Sequence, residues 1–229
     1  MLTGAALGLD DRTLGLDPRG LDLELAPEVA LAPANVPGEA FRTLRTTLER
    51  MPSAQTIRTI LITSPAPGEG KSFVAANLAL AQMQLPDNPT LICDFNLRQP
   101  SLHQLFRTSR TPGISDYLLG NVDLSQALRR IGGSELFVMP AGEAVGNELE
   151  LLHVKELAQL MKRLRNAFRW IILDSPSLLA ASDANLLASL ADGALLVTRM
   201  GVTKRDAMRQ AISAIGQDNI LGIVANGLT

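Results

Sequence analysis

Apolar residues fall in short runs through most of the chain, and stretches of helical period separate the runs. Ile57–Thr63, Thr90–Asp94, Leu136–Met139, Trp170–Asp174, Ala194–Arg199 and Leu221–Ala225 are dominated by aliphatic side chains over strand length. Runs without polar alternation suit strands covered on both faces. Between them the spacing predicts helices. One follows residue 71, with Phe73, Val74, Ala76, Asn77, Leu78, Leu80 and Ala81 near its packed side. Others are predicted at Ser101–Phe106, Ser115–Leu119, Leu124–Ile131, Val154–Ala167, Asp183–Leu190 and Lys204–Ile215. Six strands alternating with helices predict an α/β fold, a mostly parallel sheet with helices on both faces.

The N-terminal part reads differently. Turn formers interrupt residues 1–36, and no period of 2 or 3.6 persists there. This segment is expected to be a flexible N-terminal arm, with a short docking segment as the other reading. Residues 37–229 are expected to form one domain. It opens with a helix over 37–51 on which Glu39, Arg42 and Arg45 share one face, with Phe41, Leu44 and Leu48 on another.

Composition narrows the picture. The 229 residues are 46% hydrophobic but only 3% aromatic, so aliphatic side chains must build the core. A net charge of −2 gives no reason to expect nucleic acid as a partner. No run is long enough to cross a bilayer, and no secretion signal opens the chain, so a cytoplasmic location is expected. Cys93 is the one cysteine, which excludes an internal disulfide. Its place in an apolar run makes it core filler. Two histidines, His103 and His153, leave little for a histidine-rich metal site.

The chemistry concentrates after the first apolar run, in Ser64-Pro-Ala-Pro-Gly-Glu-Gly-Lys-Ser72. The segment follows the G-x-x-x-x-G-K-[ST] phosphate loop, with Pro65 in place of the first glycine. Gly68 and Gly70 permit backbone angles that turn successive N–H groups inward. The helix starting at Lys71 aims its positive end at the same point. Lys71 is placed to reach outer phosphates and Ser72 to offer a hydroxyl to Mg²⁺. Pro67, Gly68, Glu69, Gly70, Lys71, Ser72 and Phe73 are the expected nucleotide-binding stretch of a P-loop NTPase. Asp94 and Asp174 end apolar runs, where a parallel sheet opens its ligand crevice. Asp94 has two readings, base for an attacking hydroxyl or holder of a metal water. Asp174 is expected to orient Mg²⁺, so Lys71, Asp94 and Asp174 are the catalytic candidates and Ser72, Asp94 and Asp174 the metal candidates. Arg98 either pairs a phosphate or braces Asp94. Asn226 either presents its amide to a base edge or belongs to a plain Asn-Gly turn. Tyr117, in an apolar context, is expected to pack, with a phosphorylation role as the other reading.

Together these residues resemble the bacterial tyrosine autokinases of capsule and exopolysaccharide production, the CpsD/CapB family, from about residue 37 to the C-terminus. Glu39-Ala-Phe-Arg42-Thr-Leu-Arg45 fits the E-x-x-R-x-x-R motif of that family. Pro67-Gly-Glu-Gly-Lys-Ser72 fits its first Walker motif, Asp94-Phe-Asn-Leu-Arg-Gln-Pro-Ser-Leu-His103 resembles its second, and Ile171-Ile-Leu-Asp-Ser-Pro176, with Ser182-Asp-Ala184 following, fits its third. Asn147 to Leu152 resembles its N-P-x-E-L-L element without the proline. The resemblance implies ATP and Mg²⁺ as cofactors and tyrosine autophosphorylation as the activity. It also implies ring assembly through Glu39, Arg42 and Arg45, and control of polysaccharide chain synthesis or export. A membrane chain-length-determinant adaptor would then hold the protein at the inner face of the plasma membrane.

Two departures bear on activity. Asn96 stands where the family has a second aspartate. One unit charge pair at about 4 Å is worth roughly 4 kcal/mol at an effective dielectric near 20, which caps the loss at about a thousandfold in rate. The sequence also stops at Thr229 without a tyrosine cluster. These departures keep open an alternative, an ATP-gated regulatory scaffold with little kinase activity. A ParA/MinD-type ATPase is a further reading. It is disfavoured by Ala66, which stands where that type carries an additional lysine.

Overall fold

The computed structural model describes residues 28–29, 38–146, 151, 154–181 and 183–227. Its eight strands are β1 (Glu28–Val29), β2 (Thr59–Thr63), β3 (Thr90–Asp94), β4 (Arg129–Ile131), β5 (Leu136–Met139), β6 (Trp170–Asp174), β7 (Gly193–Arg199) and β8 (Ile220–Asn226). They form one sheet in the order β1-β4-β5-β3-β6-β2-β7-β8. All pairings are parallel except β4 with β5.

Alternation along the buried strands sorts side chains to two core layers. Ile60, Ile62, Ile92, Val138, Trp170, Ile172, Leu195 and Val197 face the side covered by α1 (Glu39–Glu49) and α2 (Lys71–Gln82). Leu61, Leu91, Cys93, Phe137, Met139, Ile171, Leu173 and Leu196 face the other side. There they meet α4 (Ile114–Leu118), α5 (Val154–Ala167), α6 (Asp183–Leu190) and α7 (Arg205–Ile215). A short α3 (Leu102–Leu105) follows the β3 loop. Helix α2 lies between the sheet and α1, and its alanines at 75, 76, 79 and 81 are buried. Small side chains there permit close approach of a helix covered on two sides.

The expected helix over Leu124–Ile131 is corrected. Residues 124–127 make one turn, and Arg129–Ile131 is a strand antiparallel to β5. Nη1 of Arg129 takes the carbonyls of Gln126 and Leu128, both at 2.8 Å. Nη2 takes those of Thr111 and Pro112, both at 3.0 Å. A helix continuing from this turn would need the Gln126 carbonyl for its own ladder. Of the stretch read as an arm, Glu28–Val29 is described, and it pairs in parallel with β4. These two strands raise the six predicted to eight. The rest of residues 1–37, Asn147–Glu150, Leu152 and His153 lie outside the described residues.

Candidate active site

Strands β2, β3 and β6 bring Thr63, Asp94 and Asp174 to one end of the sheet. Asp94 is the register partner of Asp174, and Asp174 is that of Ile62. The loop from Ser64 to Gly70 crosses above them into α2. Gly68 and Gly70 both hold left-handed backbone, with φ +77° and +91°. Gly70 is the N-cap of α2 and supplies no side-chain cap, so the first-turn amides remain available to an anion.

The loop is fastened from outside the cleft. Glu69 is buried and does not line it. One carboxylate oxygen of Glu69 accepts from the Ala66 amide at 3.2 Å, and the other from the Thr203 hydroxyl at 2.5 Å. Nδ2 of Asn226 donates to the Glu69 carbonyl at 2.9 Å. The Asn226 amide therefore braces the phosphate loop, and the residue is not part of the cleft lining.

The cleft encloses about 380 Å³ and is lined by Pro67, Gly68, Gly70, Lys71, Ser72 and Phe73 on the loop side. Asn96, Arg98 and Gln99 form the β3 side, and Pro176, Ser177, Ala180 and Ala181 the β6 side. Gln99 and Pro176 were quoted only as members of the second and third motifs, and Ser177, Ala180 and Ala181 were not singled out from the sequence. The Ser-Pro-Ser that follows β6 was the available signal. Phe73 is half exposed and meets Phe41 of α1 edge-on, with ring centroids 5.8 Å apart.

The two aspartates lie beneath this lining, both fully buried. Asp94 accepts from the amides of Ser101 and Leu102 at 2.9 Å and from that of Asn96 at 3.3 Å. Asp174 has no hydrogen-bond partner on either oxygen. Burial pushes its acid well up, and the neighbouring Asp94 pushes it further. Ser72 and Lys71 lie near enough to oppose the shift, without a hydrogen bond to it. Burial raises Asp94 as well, against the pull of its three amides. Lys71 is also buried, and desolvation lowers its pKa more than the charges of Asp174 and Glu69 raise it. Buried charges left without partners are costly. A divalent cation beside Asp174 and a polyphosphate beside Lys71 would supply the missing counter-charges, so the residues fit a magnesium nucleotide.

Other candidates divide. Arg98 lines the cleft. Asn96 also lines it and donates through Nδ2 to the Gln99 carbonyl at 2.9 Å. Burial raises the Cys93 thiol, which is inert core. On α1, Arg42 pairs with Glu39 at 3.2 Å. Nη1 of Arg45 turns inward instead and donates to the Ala81 carbonyl at the end of α2, at 2.7 Å.

No protein-family model matches the chain. Tyrosine-protein kinase YwqD of Bacillus subtilis is 34% identical over 197 residues, 85% of this chain and 83% of that protein. Succinoglycan biosynthesis transport protein ExoP of Rhizobium meliloti is 30% identical over 200 residues. Those residues are 85% of this chain and 25% of ExoP. Among solved structures, the VpsO kinase domain superposes with a TM-score of 0.76 at 31% identity, covering 83% of this chain and 94% of that one. The cell-division ATPase MinD of Pyrococcus furiosus, with a TM-score of 0.60 and 23% identity, shares the fold. By its identity to YwqD over most of both chains, and by the three nucleotide motifs gathered at one sheet end, this chain belongs to the family of bacterial tyrosine-protein kinases.

Proposed function

We propose that the chain transfers the terminal phosphoryl group of Mg–ATP to tyrosine and thereby regulates the synthesis or export of an exopolysaccharide or capsule. The observation that carries this reading is Asp174, buried and unpartnered beside Lys71 under a glycine loop. The names of YwqD and ExoP support the substrate class and the pathway class.

Bound in the cleft, Mg–ATP supplies the phosphoryl group and the divalent charge. The remaining work belongs to the chain. Lys71 and the open amides at the start of α2 neutralise phosphate oxygens. Ser72 and Asp174 hold the cation. Asp94 has one oxygen engaged only by the long Asn96 contact, so it retains lone-pair capacity for the tyrosine proton. Arg98, on the wall opposite the loop, adds positive charge for a phosphate. Catalysis of this kind is mostly positioning and charge neutralisation.

Assembly is read from α1. The side chain of Glu39 is 81% exposed and that of Arg42 42%, so both are available to a neighbouring copy in a ring. Arg45 fixes the angle of α1 on α2. Among the described residues no helix is long and apolar enough to cross a membrane. Residence at the inner membrane face would therefore depend on a membrane adaptor.

The test is transfer of label from ATP, with Mg²⁺, to a tyrosine peptide. Wild type is expected to exceed Lys71→Ala by at least about a hundredfold, equivalent to ~2.7 kcal/mol of transition-state stabilisation. Equal label from the two proteins would overturn the kinase reading.

A further inference from the structure

The sequence holds one tyrosine, Tyr117. It lies on α4, where its ring packs against the core layer shared with α5. Its hydroxyl reaches the surface, and Nη1 of Arg163, on α5, donates to it at 3.1 Å. Neither residue lines the nucleotide cleft, and neither has a part in the chemistry described above.

We propose that Tyr117 is an autophosphorylation site, with Arg163 as the guanidinium that receives the new phosphate. This rests on the kinase reading. Within these 229 residues no other phenol can accept a phosphoryl group from a tyrosine kinase. The surroundings suit the product. A phosphotyrosine carries nearly two negative charges, and a guanidinium already at its oxygen offers charge-assisted hydrogen bonds. The adjacent acid, Asp116, is occupied elsewhere. It accepts from the amides of Gly113 at 2.8 Å and Glu143 at 3.2 Å.

Because Tyr117 is not part of its own cleft, the ATP is held by a second copy. The Tyr117 oxygen attacks the γ-phosphorus, and an oxygen–phosphorus bond forms. The bond from that phosphorus to the β,γ-bridging oxygen breaks, and ADP leaves with the electron pair. The phenolic proton passes to a carboxylate of the donor copy. The phosphorylated side chain then ties α4 to α5 through Arg163.

The test uses the full chain with Mg–ATP and site mapping by mass spectrometry, with a tyrosine peptide as external acceptor in parallel. Phosphate is expected on Tyr117 in wild type and on no tyrosine in Tyr117→Phe, which still labels the peptide. The initial rate per mole of protein is expected to rise with concentration. In Arg163→Ala, phospho-Tyr117 is expected to be cleared several-fold faster by a tyrosine phosphatase. A labelled peptide with unmodified Tyr117 overturns the site and leaves the kinase reading standing. No label on either overturns both. A rate per mole unchanged on dilution overturns the transfer between copies, and unchanged clearance in Arg163→Ala overturns the role of the guanidinium.

Discussion

Asp174 is fully buried, and its acid is pushed up to about 8, by burial first and by Asp94 second. In the unfolded chain an aspartate titrates near 4. Across that interval the native state binds more protons than the unfolded one, so stability falls as pH rises from about 4 toward about 8 and levels off above. Melting temperatures from pH 5 to 8 are expected to show this slope in wild type, with a shallower one in Asp174→Asn. A wild type whose melting temperature does not fall contradicts the assignment. Mg–nucleotide binding favours the carboxylate and should release protons below about pH 8, readable as buffer-dependent calorimetric heats. Asn96→Asp restores a negative charge at the cleft wall but loses the bond to the Gln99 carbonyl. Phosphoryl transfer is expected to rise, with a ceiling near a thousandfold. No gain in kcat would mean that Asn96 already suffices. The places of Lys71 and Ser72 at the helix start and of Asp174 at a strand end were legible because they follow from local order: strand, glycine turn, helix start, strand end. The fastening role of Asn226 was not, because its amide meets a carbonyl 157 positions away.

At the scale of elements, the phosphate loop is a turn whose shape the end of β8 and the loop after β7 maintain. A Cβ on Gly70 would stand 2.0 Å from Nδ2 of Asn226, on a residue with φ +91°. Gly70→Ala is expected to weaken Mg–ATP binding strongly. Adding Asn226→Ala removes the clash but leaves the backbone cost of roughly 1–2 kcal/mol. Calorimetric affinities should therefore recover only in part in the double variant, and full recovery would refute the backbone argument. Buried strands were legible from aliphatic runs, and α5 and α7 from their amphipathic period. The 124–131 segment was misread because Leu124, Ala127, Leu128 and Ile131 have helical spacing. Arg129 consumes the carbonyls a helix would use, and periodicity carries no trace of that competition.

For the whole molecule, nucleotide binding and folding are linked. A ligand at about 100 times its dissociation constant adds ~2.7 kcal/mol to stability. For a domain of this size that amounts to a rise of roughly 5–10 °C in Tm. Thermal unfolding with and without Mg–ATP should show it in wild type and lose it in Lys71→Ala. An equal shift in both proteins would place the nucleotide elsewhere. The two core layers make the response global, since β2, which leads into the loop, and β6, which ends in Asp174, also carry central core residues of both faces.

By itself the sequence determined the α/β class, the phosphate loop and the order of the nucleotide motifs. Each is written in neighbouring residues, through aliphatic runs, glycine placement and helix starts. Only the tertiary structure decided that Asp94 lies beside Asp174, that Asp174 has no hydrogen-bond partner, and that the Arg45 side chain of α1 is bound to a carbonyl of α2. It also decided that Glu69 and Asn226 fasten the loop from behind. The reason is physical. Strand register and side-chain burial arise from packing between segments far apart in the chain, and a local pattern specifies which residues can be buried but not what they meet there.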